Sequence, residues 1–203
     1  MWFGRFLLFI LKPIFWLLFP YKTVGKKNIP SAKDGMRLIM CSNHISDIDP
    51  VFILEAQRRP VYYMAKSELF PNKLATWFFS TVFGAFPVQR GKGDSGAIDR
   101  SVQLVHDGKM LGIFPEGTRS RDGSLGRAKS GAALIASASG AHILPVAVMT
   151  KSQKVKLFRK TTIIFGKPMS PAELRLDDAE KPDLRYASRR IMERIGELME
   201  ENS

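Results

Sequence analysis

A histidine and an aspartate lie close together in a short polar segment, and their side chains suit acid–base chemistry. The segment is residues 43–49, in which Asp49 follows His44 by five positions. On one continuous helix this spacing rotates the side chains about 140° apart, but they can meet at a corner between a strand and a helix. A carboxylate bonded to one imidazole nitrogen leaves the other nitrogen free to take a proton from an alcohol. The pair therefore predicts a general base, without an enzyme nucleophile.

A second segment, residues 114–120, combines glycine with positive charge and follows a predicted strand. Gly117 would let backbone N–H groups approach a ligand, and Arg119 could bind a phosphate through two parallel hydrogen bonds. The pattern indicates a site for an anionic substrate. The same loop carries three further cations: Arg121, Arg127 and Lys129.

Two other segments carry weaker signals. Residues 84–90 end in Arg90, a further candidate ligand for an anion. Residues 143–146 form an apolar strand candidate that contains Pro145.

Other reactive residues have simpler interpretations. Cys41 is the single cysteine, which excludes an intrachain disulfide and a cysteine-cluster metal site. An apolar setting raises the pKa of a thiol, so we interpret Cys41 as a core residue and not as a nucleophile. Ser46 fits a helix cap better than a nucleophile. A metal-dependent hydrolase could use His44, Asp47 and Asp49, but no second histidine cluster accompanies them, and we expect no metal site.

Short apolar segments alternate with amphipathic ones, and this alternation predicts an α/β fold: a single domain with a central mixed sheet flanked by helices. We expect strands at residues 37–42, 61–65, 86–88, 110–114, 143–149 and 161–165. We expect helices at residues 50–58, 71–83, 97–106, 131–139 and 184–199. Both polar segments would then follow strands.

The charge and the N-terminus both point to an anionic surface. The 203 residues include 31 Lys+Arg and 19 Asp+Glu, a net charge of +12 that favours nucleic acid, anionic lipid or a phosphorylated substrate. Residues 1–20 hold two apolar runs separated by Lys12 and Pro13, each far shorter than the ~20 residues of a membrane span. We expect residues 1–22 to form a membrane-associating helical segment and residues 23–203 to form the α/β domain; an ordinary buried helix is the alternative.

Together these segments resemble the 1-acylglycerol-3-phosphate acyltransferase family, the lysophosphatidic acid acyltransferases of phospholipid synthesis. The resemblance covers about half of the chain. Four motifs carry it: H-x4-D at His44 and Asp49, G-x-F-P-V-x-R at residues 84–90, F-P-E-G-T-R-S at residues 114–120, and an apolar motif around Pro145. Gln89 departs from the family, many members of which have aspartate before the arginine, and this weakens any inference about the acceptor.

The resemblance implies roles for these residues. His44 would be the general base for the acceptor hydroxyl, and Asp49 would orient it. The apolar surface near Pro145, and that of residues 71–83, would receive acyl chain. The set that would hold the glycerol phosphate is larger: Arg90, Glu116, Gly117, Thr118, Arg119 and Lys129.

The implied reaction transfers a fatty acyl group from an acyl carrier protein or coenzyme A thioester to the sn-2 hydroxyl of 1-acylglycerol 3-phosphate, without a cofactor. The expected partners are that donor, the lysophosphatidic acid acceptor and an anionic membrane surface, but no nucleic acid. The expected location is the cytoplasmic face of the cell membrane, with monotopic or peripheral attachment. Two alternatives are another lysophospholipid or polyol acceptor, and a non-catalytic basic protein that binds membrane or nucleic acid.

Overall fold

Seven strands form one sheet within the part of the chain that the computed structural model describes, which is residues 2–57, 59–88, 95–120, 122–178 and 180–203. In chain order they are β1 Tyr21–Val24, β2 Leu38–Ser42, β3 Val61–Lys66, β4 Ala85–Val88, β5 Met110–Ile113, β6 His142–Thr150 and β7 Thr161–Phe165. Their order across the sheet is β1-β7-β6-β2-β5-β3-β4. Among the neighbouring pairs of these described strands only β6–β7 is antiparallel, so the expected α/β fold with a central mixed sheet is confirmed.

The sheet brings together two polar segments that are distant in sequence. β2 pairs in parallel with β5, with Cys41 opposite Ile113. Because parallel strands end at the same edge of a sheet, the chain leaves β2 and β5 side by side. Residues 43–49 and 114–120 therefore emerge next to each other.

Helices cover both faces of the sheet. They are α1 Trp2–Leu18, α2 Asp49–Ala56, α3 Lys73–Val82, α4 Ser95–His106, α5 Gly131–Ser139 and α6 Leu184–Glu200. Alternate residues of a strand point to opposite faces, so Ile39 and Cys41 of β2 pack with α4, α5 and α6, whereas Leu38 and Met40 pack with Phe52 of α2. The strands are buried on both sides, which explains their continuous apolar sequence.

The N-terminal segment forms one helix, which is followed by an edge strand of the sheet. α1 runs through Pro13 as one helix, and its Phe15 packs edge-on against Phe52 at 5.2 Å between ring centroids. β1 starts at Tyr21 and pairs with β7, so the boundary expected between residues 22 and 23 falls inside this strand. Among the described residues, none of the helices combines the length and the apolar character needed to cross a bilayer.

Candidate active site

The chain turns away from the sheet at Asn43, and this buried side chain fixes the turn. Its Nδ2 donates to the carbonyl oxygen of Val148 at 2.8 Å, and its Oδ1 accepts from the N–H of Val148 at 2.8 Å. The amide side chain thus substitutes for a peptide group beside β6. The backbone after β2 is consequently free to carry His44 out of the sheet.

His44 and Asp49 meet at the corner between β2 and α2. His44 Nδ1 lies 2.9 Å from Asp49 Oδ2, which also accepts the backbone N–H groups of Ile45 at 2.7 Å and Ser46 at 2.8 Å. An ionised carboxylate only accepts hydrogen bonds, so Nδ1 carries the proton and Nε2 is left as the basic nitrogen. Asp49 is the first residue of α2, where the positive end of the helix favours its charge.

Aromatic rings hold the imidazole from one side. Phe114 stacks on His44 with 4.1 Å between ring centroids and an interplanar angle of 19°, and Tyr63 stacks behind Phe114 at 6.0 Å. The Tyr63 hydroxyl and Asp49 Oδ1 are both buried, with no hydrogen-bond partner among the described residues. Burial, and then the charge of Asp49, raise the pKa of Tyr63, so its hydroxyl stays protonated.

Glu116 joins the two polar segments. Its Oε1 accepts the backbone N–H of His44 at 3.1 Å, and its Oε2 accepts that of Gly126 at 3.0 Å. Burial raises the pKa of this carboxyl, and the two N–H groups oppose that effect. Both carboxylate oxygens accept from backbone donors. This geometry favours a structural role for Glu116, in which it holds the backbone of His44 in place, over the expected contact with a phosphate.

Gly117 makes room for a cation. Its φ is +71°, and its N–H donates to the carbonyl oxygen of Phe114 at 3.0 Å within the turn. A Cβ at this position would lie 2.9 Å from Lys129 Nζ and 3.1 Å from its Cε. The missing side chain thus leaves room for Lys129. Because the N–H group of Gly117 is already bonded within the turn, this geometry does not favour the expected approach of a ligand to it.

Arg119 lies at the surface, where its guanidinium forms an ion pair with Asp47. Thr118 is exposed beside it. Residues 114–120 are joined to residues 43–49, the base segment, because the N–H of Ser120 donates to the carbonyl oxygen of His44 at 2.8 Å. The phosphate candidates of this loop therefore lie next to the base.

A cavity of about 990 Å³ connects these groups. Its polar end is lined by His44, Asp47, Thr118, Arg119 and Ser120. Its apolar walls include Ile48, Val51, Met64, Leu69, Phe79 and Phe83. A base and a cation thus share one cavity with walls suited to an alkyl chain. A smaller cavity of about 210 Å³ lies on the other side of Thr118 and Arg119, beside Asp122 and Arg127.

Pro145 does not line this cavity. It is buried in β6 opposite Cys41 of β2, a position that fits a structural role. Arg90, together with Gln89 and Arg121, lies outside the described residues.

The described part of the chain holds no group of three His, Cys, Asp or Glu residues close enough to bind a metal ion. Asp47 faces Arg119, whereas Asp49 faces His44, so the two aspartates turn to different partners.

Asn43, Tyr63 and Phe114 are the residues of the site to which the sequence interpretation gave no role. Asn43 and Phe114 belong to the motifs, so their position next to His44 and Glu116 was a usable signal. Tyr63 carried no signal, because nothing local indicates that the centre of β3 faces His44 across Phe114.

Comparison with known proteins gives a consistent result. A family model described as Acyltransferase matches residues 21–149. The 1-acyl-sn-glycerol-3-phosphate acyltransferase of Bacillus subtilis is 35% identical over 159 residues, or 75% of this chain and 75% of that protein. The chloroplast 1-acyl-sn-glycerol-3-phosphate acyltransferase BAT2 of Brassica napus is 31% identical over 78% of this chain, which spans about half of that protein (49%).

Two further matches bear on acceptor and fold. The lyso-ornithine lipid O-acyltransferase of Pseudomonas aeruginosa is 35% identical over 114 residues, or 55% of this chain and 42% of that protein. The crystal structure of the 1-acyl-sn-glycerophosphate acyltransferase PlsC of Thermotoga maritima has a TM-score of 0.73 and 23% identity, over 97% of this chain and 79% of that one. At this identity the structural match supports the fold.

Proposed function

Because the chain belongs to the acyltransferase family, we propose that it transfers a fatty acyl group from a thioester to the sn-2 hydroxyl of 1-acylglycerol 3-phosphate, forming phosphatidic acid. One observation carries the proposal: His44, oriented by Asp49, opens into the same cavity as Arg119. A base and an anion ligand in one apolar cavity fit an acceptor that has a hydroxyl, a phosphate and an alkyl chain.

In the proposed reaction, His44 Nε2 takes the proton of the acceptor hydroxyl while the oxygen attacks the thioester carbonyl. Asp49 stabilises the imidazolium that forms. The tetrahedral intermediate then expels the thiolate, which receives the proton from His44 and leaves as a thiol. A thiol has a pKa near 8.5, so its departure needs little acid assistance. The ester is the only new bond to carbon, and no cofactor is consumed.

Arg119 is the proposed ligand of the acceptor phosphate, with Thr118 beside it and Lys129 and Arg90 as further candidates. An exposed ion pair such as Arg119–Asp47 contributes only about 0–1 kcal/mol, whereas hydrogen bonds to charged groups contribute about 1.5–3 kcal/mol. Arg119 can therefore exchange Asp47 for a phosphate at little cost. Phe79 and Phe83 support the acyl-chain role proposed for the 71–83 segment.

We also propose monotopic attachment to the cytoplasmic leaflet through α1 and α3. Exposed apolar side chains favour it: Phe6, Phe9, Ile10, Leu11, Ile14, Trp16 and Leu17 on α1, and Leu74, Trp77 and Phe78 on α3. Scattered apolar residues are normal on a protein surface, but their concentration on two adjoining helices is typical of a membrane contact. The two helices adjoin at Gly4, where a Cβ would lie 2.1 Å from the carbonyl oxygen of Thr81.

This attachment is tested by substitution in α1, because deletion of the helix would also remove Phe15 from the core. Phe9→Ser/Ile14→Ser should shift the protein from vesicles to the soluble fraction, and high salt alone should not, since apolar insertion is not screened. Leu134→Ser on α5, which replaces another exposed apolar residue, is the matched control. Release of the parent protein by salt alone would contradict apolar insertion.

The reaction is tested by an acyl-transfer assay with purified protein that crosses acyl carrier protein and coenzyme A thioesters with several acceptors. The proposal expects phosphatidic acid from 1-acylglycerol 3-phosphate. The Pseudomonas relative favours a second candidate acceptor, a lyso-ornithine lipid. Transfer to that acceptor alone would replace the proposed substrate, and no transfer to any acceptor would support a non-catalytic binding protein.

A further inference from the structure

The loop between β6 and β7 combines positive charge with exposed apolar side chains. Residues 151–160 have the sequence KSQKVKLFRK, with five cations and no acidic residue. Within it, Leu157 is 54% exposed and Phe158 is 66% exposed. Large apolar residues flanked by cations are typical of a surface that meets a lipid headgroup layer.

The backbone of this loop is held in place. The N–H of Phe158 donates to the carbonyl oxygen of Leu18 at 2.7 Å, and that of Thr161 donates to Pro20 at 2.9 Å, so the loop is joined to the end of α1. Val155 packs against the core beneath. Phe158 has a φ of +59°, a conformation that costs a non-glycine residue about 1–2 kcal/mol. The loop thus keeps a bulky ring in a costly conformation and leaves it in solvent.

The β6–β7 loop lies between the loop that carries Arg119 and the end of α1. β6 is parallel to β2, so the loop leaves the same edge of the sheet as the base segment. On one side it touches the loop that carries Arg119, because a Cβ at Gly123 in that loop would lie 2.5 Å from the Cβ of Gln153. On the other side it joins α1 next to Leu17, which is exposed. Its surface therefore continues the apolar surface of α1 towards Arg119.

We propose that the β6–β7 loop is a second membrane contact, in which Leu157 and Phe158 insert into an anionic phospholipid leaflet while the cations around them bind headgroup phosphates. The proposal rests on the membrane attachment proposed above and extends it from α1 to the loop that carries Arg119. Charge complementarity favours an anionic surface, and the aliphatic Leu157, together with the continuity with α1, favours lipid over nucleic acid. The two contacts would hold the entrance for the acceptor phosphate at headgroup level.

The test measures binding of the full-length protein to sedimented vesicles of phosphatidylcholine with and without phosphatidylglycerol. Leu157→Ser/Phe158→Asn should lower partitioning to both vesicle types by about 10-fold, since two inserting side chains are lost. Asparagine tolerates positive φ, so the loop should keep its shape. Lys154→Gln/Lys156→Gln should lower partitioning about 10-fold on the anionic vesicles only, and high salt should remove that difference.

Matched controls are Leu134→Ser for the apolar pair and Lys167→Gln/Lys181→Gln for the charge pair, all at exposed positions outside the loop. The controls should bind vesicles like the parent. All variants should keep the parent melting temperature and the parent turnover of a short-chain, water-soluble acceptor. If both loop variants bind vesicles as the parent does, the loop is not a membrane contact. A loss of DNA binding with vesicle binding unchanged would also overturn the proposal and indicate a nucleic-acid surface.

Failure of the proposed function has a different signature. If the parent acylates none of the acceptors but the loop variants lose vesicle binding, the acyltransferase proposal fails and the membrane contact stands. If the parent is active and the loop variants bind and turn over like the parent on vesicles, the membrane contact fails and the acyltransferase proposal stands.

Discussion

The two halves of the site differ in how far they are organised without substrate. At the base, the side chain of Asp49 is fully buried and that of His44 is 13% exposed, and Asp49 Oδ2 alone accepts three hydrogen bonds. In the other half, the side chains of Arg119 and Asp47 are 54% and 76% exposed and form an ion pair with each other. His44, the proposed base, is therefore positioned by the fold, whereas Arg119, the proposed phosphate ligand, would have to exchange Asp47 for the substrate.

This difference has a physical reason. Proton transfer depends steeply on geometry, so the base must be oriented before the acceptor arrives. In the proposed reaction the acceptor phosphate would enter from a membrane surface, where it needs a cation that can reach it, and an exposed ion pair is weak enough to open. Substitutions in the two halves should consequently affect different kinetic constants.

The largest effect is expected for His44→Ala. Without a base the acceptor hydroxyl keeps its proton, and kcat should fall by about 10² to 10⁴ while folding is preserved. Acyl-transfer kinetics and a melting curve measure both. His106→Ala, at the exposed end of α4, is the matched control and should behave like the parent. Near-parent turnover by folded His44→Ala protein would end the proposed mechanism.

Asp49→Asn should be severe in a second way. The amide oxygen can replace Oδ2 as the acceptor, but the amide NH2 group then lies at the buried position of Oδ1, which has no hydrogen-bond partner among the described residues. The neutral amide also cannot stabilise the imidazolium that forms when His44 takes a proton. We expect kcat to fall by about 10² and the free energy of unfolding to fall by about 1–3 kcal/mol. Asp47→Asn, at an exposed position, should leave stability unchanged. A stable Asp49→Asn protein with parent turnover would show that the corner is not preorganised.

Arg119→Ala should act on binding and not on turnover. Loss of a charge-assisted contact of about 1.5–3 kcal/mol should raise the KM for the phosphorylated acceptor by about 10- to 100-fold, with a much smaller change for the thioester. Arg119→Lys should rescue only in part, because lysine lacks the planar fork. Asp47→Ala should leave the acceptor KM equal or lower, since it frees Arg119. Equal effects of Arg119→Ala on both substrates would count against a phosphate site.

Glu116→Gln tests whether Glu116 holds the backbone of His44 in place or binds the substrate phosphate. Glutamine cannot accept both backbone N–H groups, so the free energy of unfolding should fall by about 1–3 kcal/mol, with a smaller rise in acceptor KM than for Arg119→Ala. Chemical denaturation and initial rates measure the two quantities. A stable variant with an acceptor KM raised as far as that of Arg119→Ala would assign Glu116 to the phosphate instead.

Cys41→Ala should have the smallest effect. Burial raises the pKa of this thiol, so at neutral pH its thiolate fraction lies below that of a free cysteine. Native protein should resist alkylation by iodoacetamide until it unfolds, and the variant should keep parent turnover. Rapid alkylation of the native protein, accompanied by loss of acyl transfer, would point to a cysteine nucleophile.

The sequence predicted most of the elements because their signals are local. Each expected strand and helix is present, and the 131–139 helix and the 161–165 strand have the expected bounds. β1 was missed because a half-exposed edge strand of four residues has no buried apolar run to reveal it. A helical segment was expected within residues 1–22, and α1 runs through Pro13 as one helix, which the packing of Phe15 against Phe52 favours.

By itself, the sequence determined the chemistry available: a histidine and an aspartate at a spacing that excludes one helix face, and a glycine-rich basic loop. Only the tertiary structure decided how these groups are used. It placed β2 beside β5, joined Glu116 to the backbone of His44, and paired Arg119 with Asp47. Motif spacing reports local geometry, but strand order and side-chain partners depend on packing between residues distant in the chain, which no local pattern encodes.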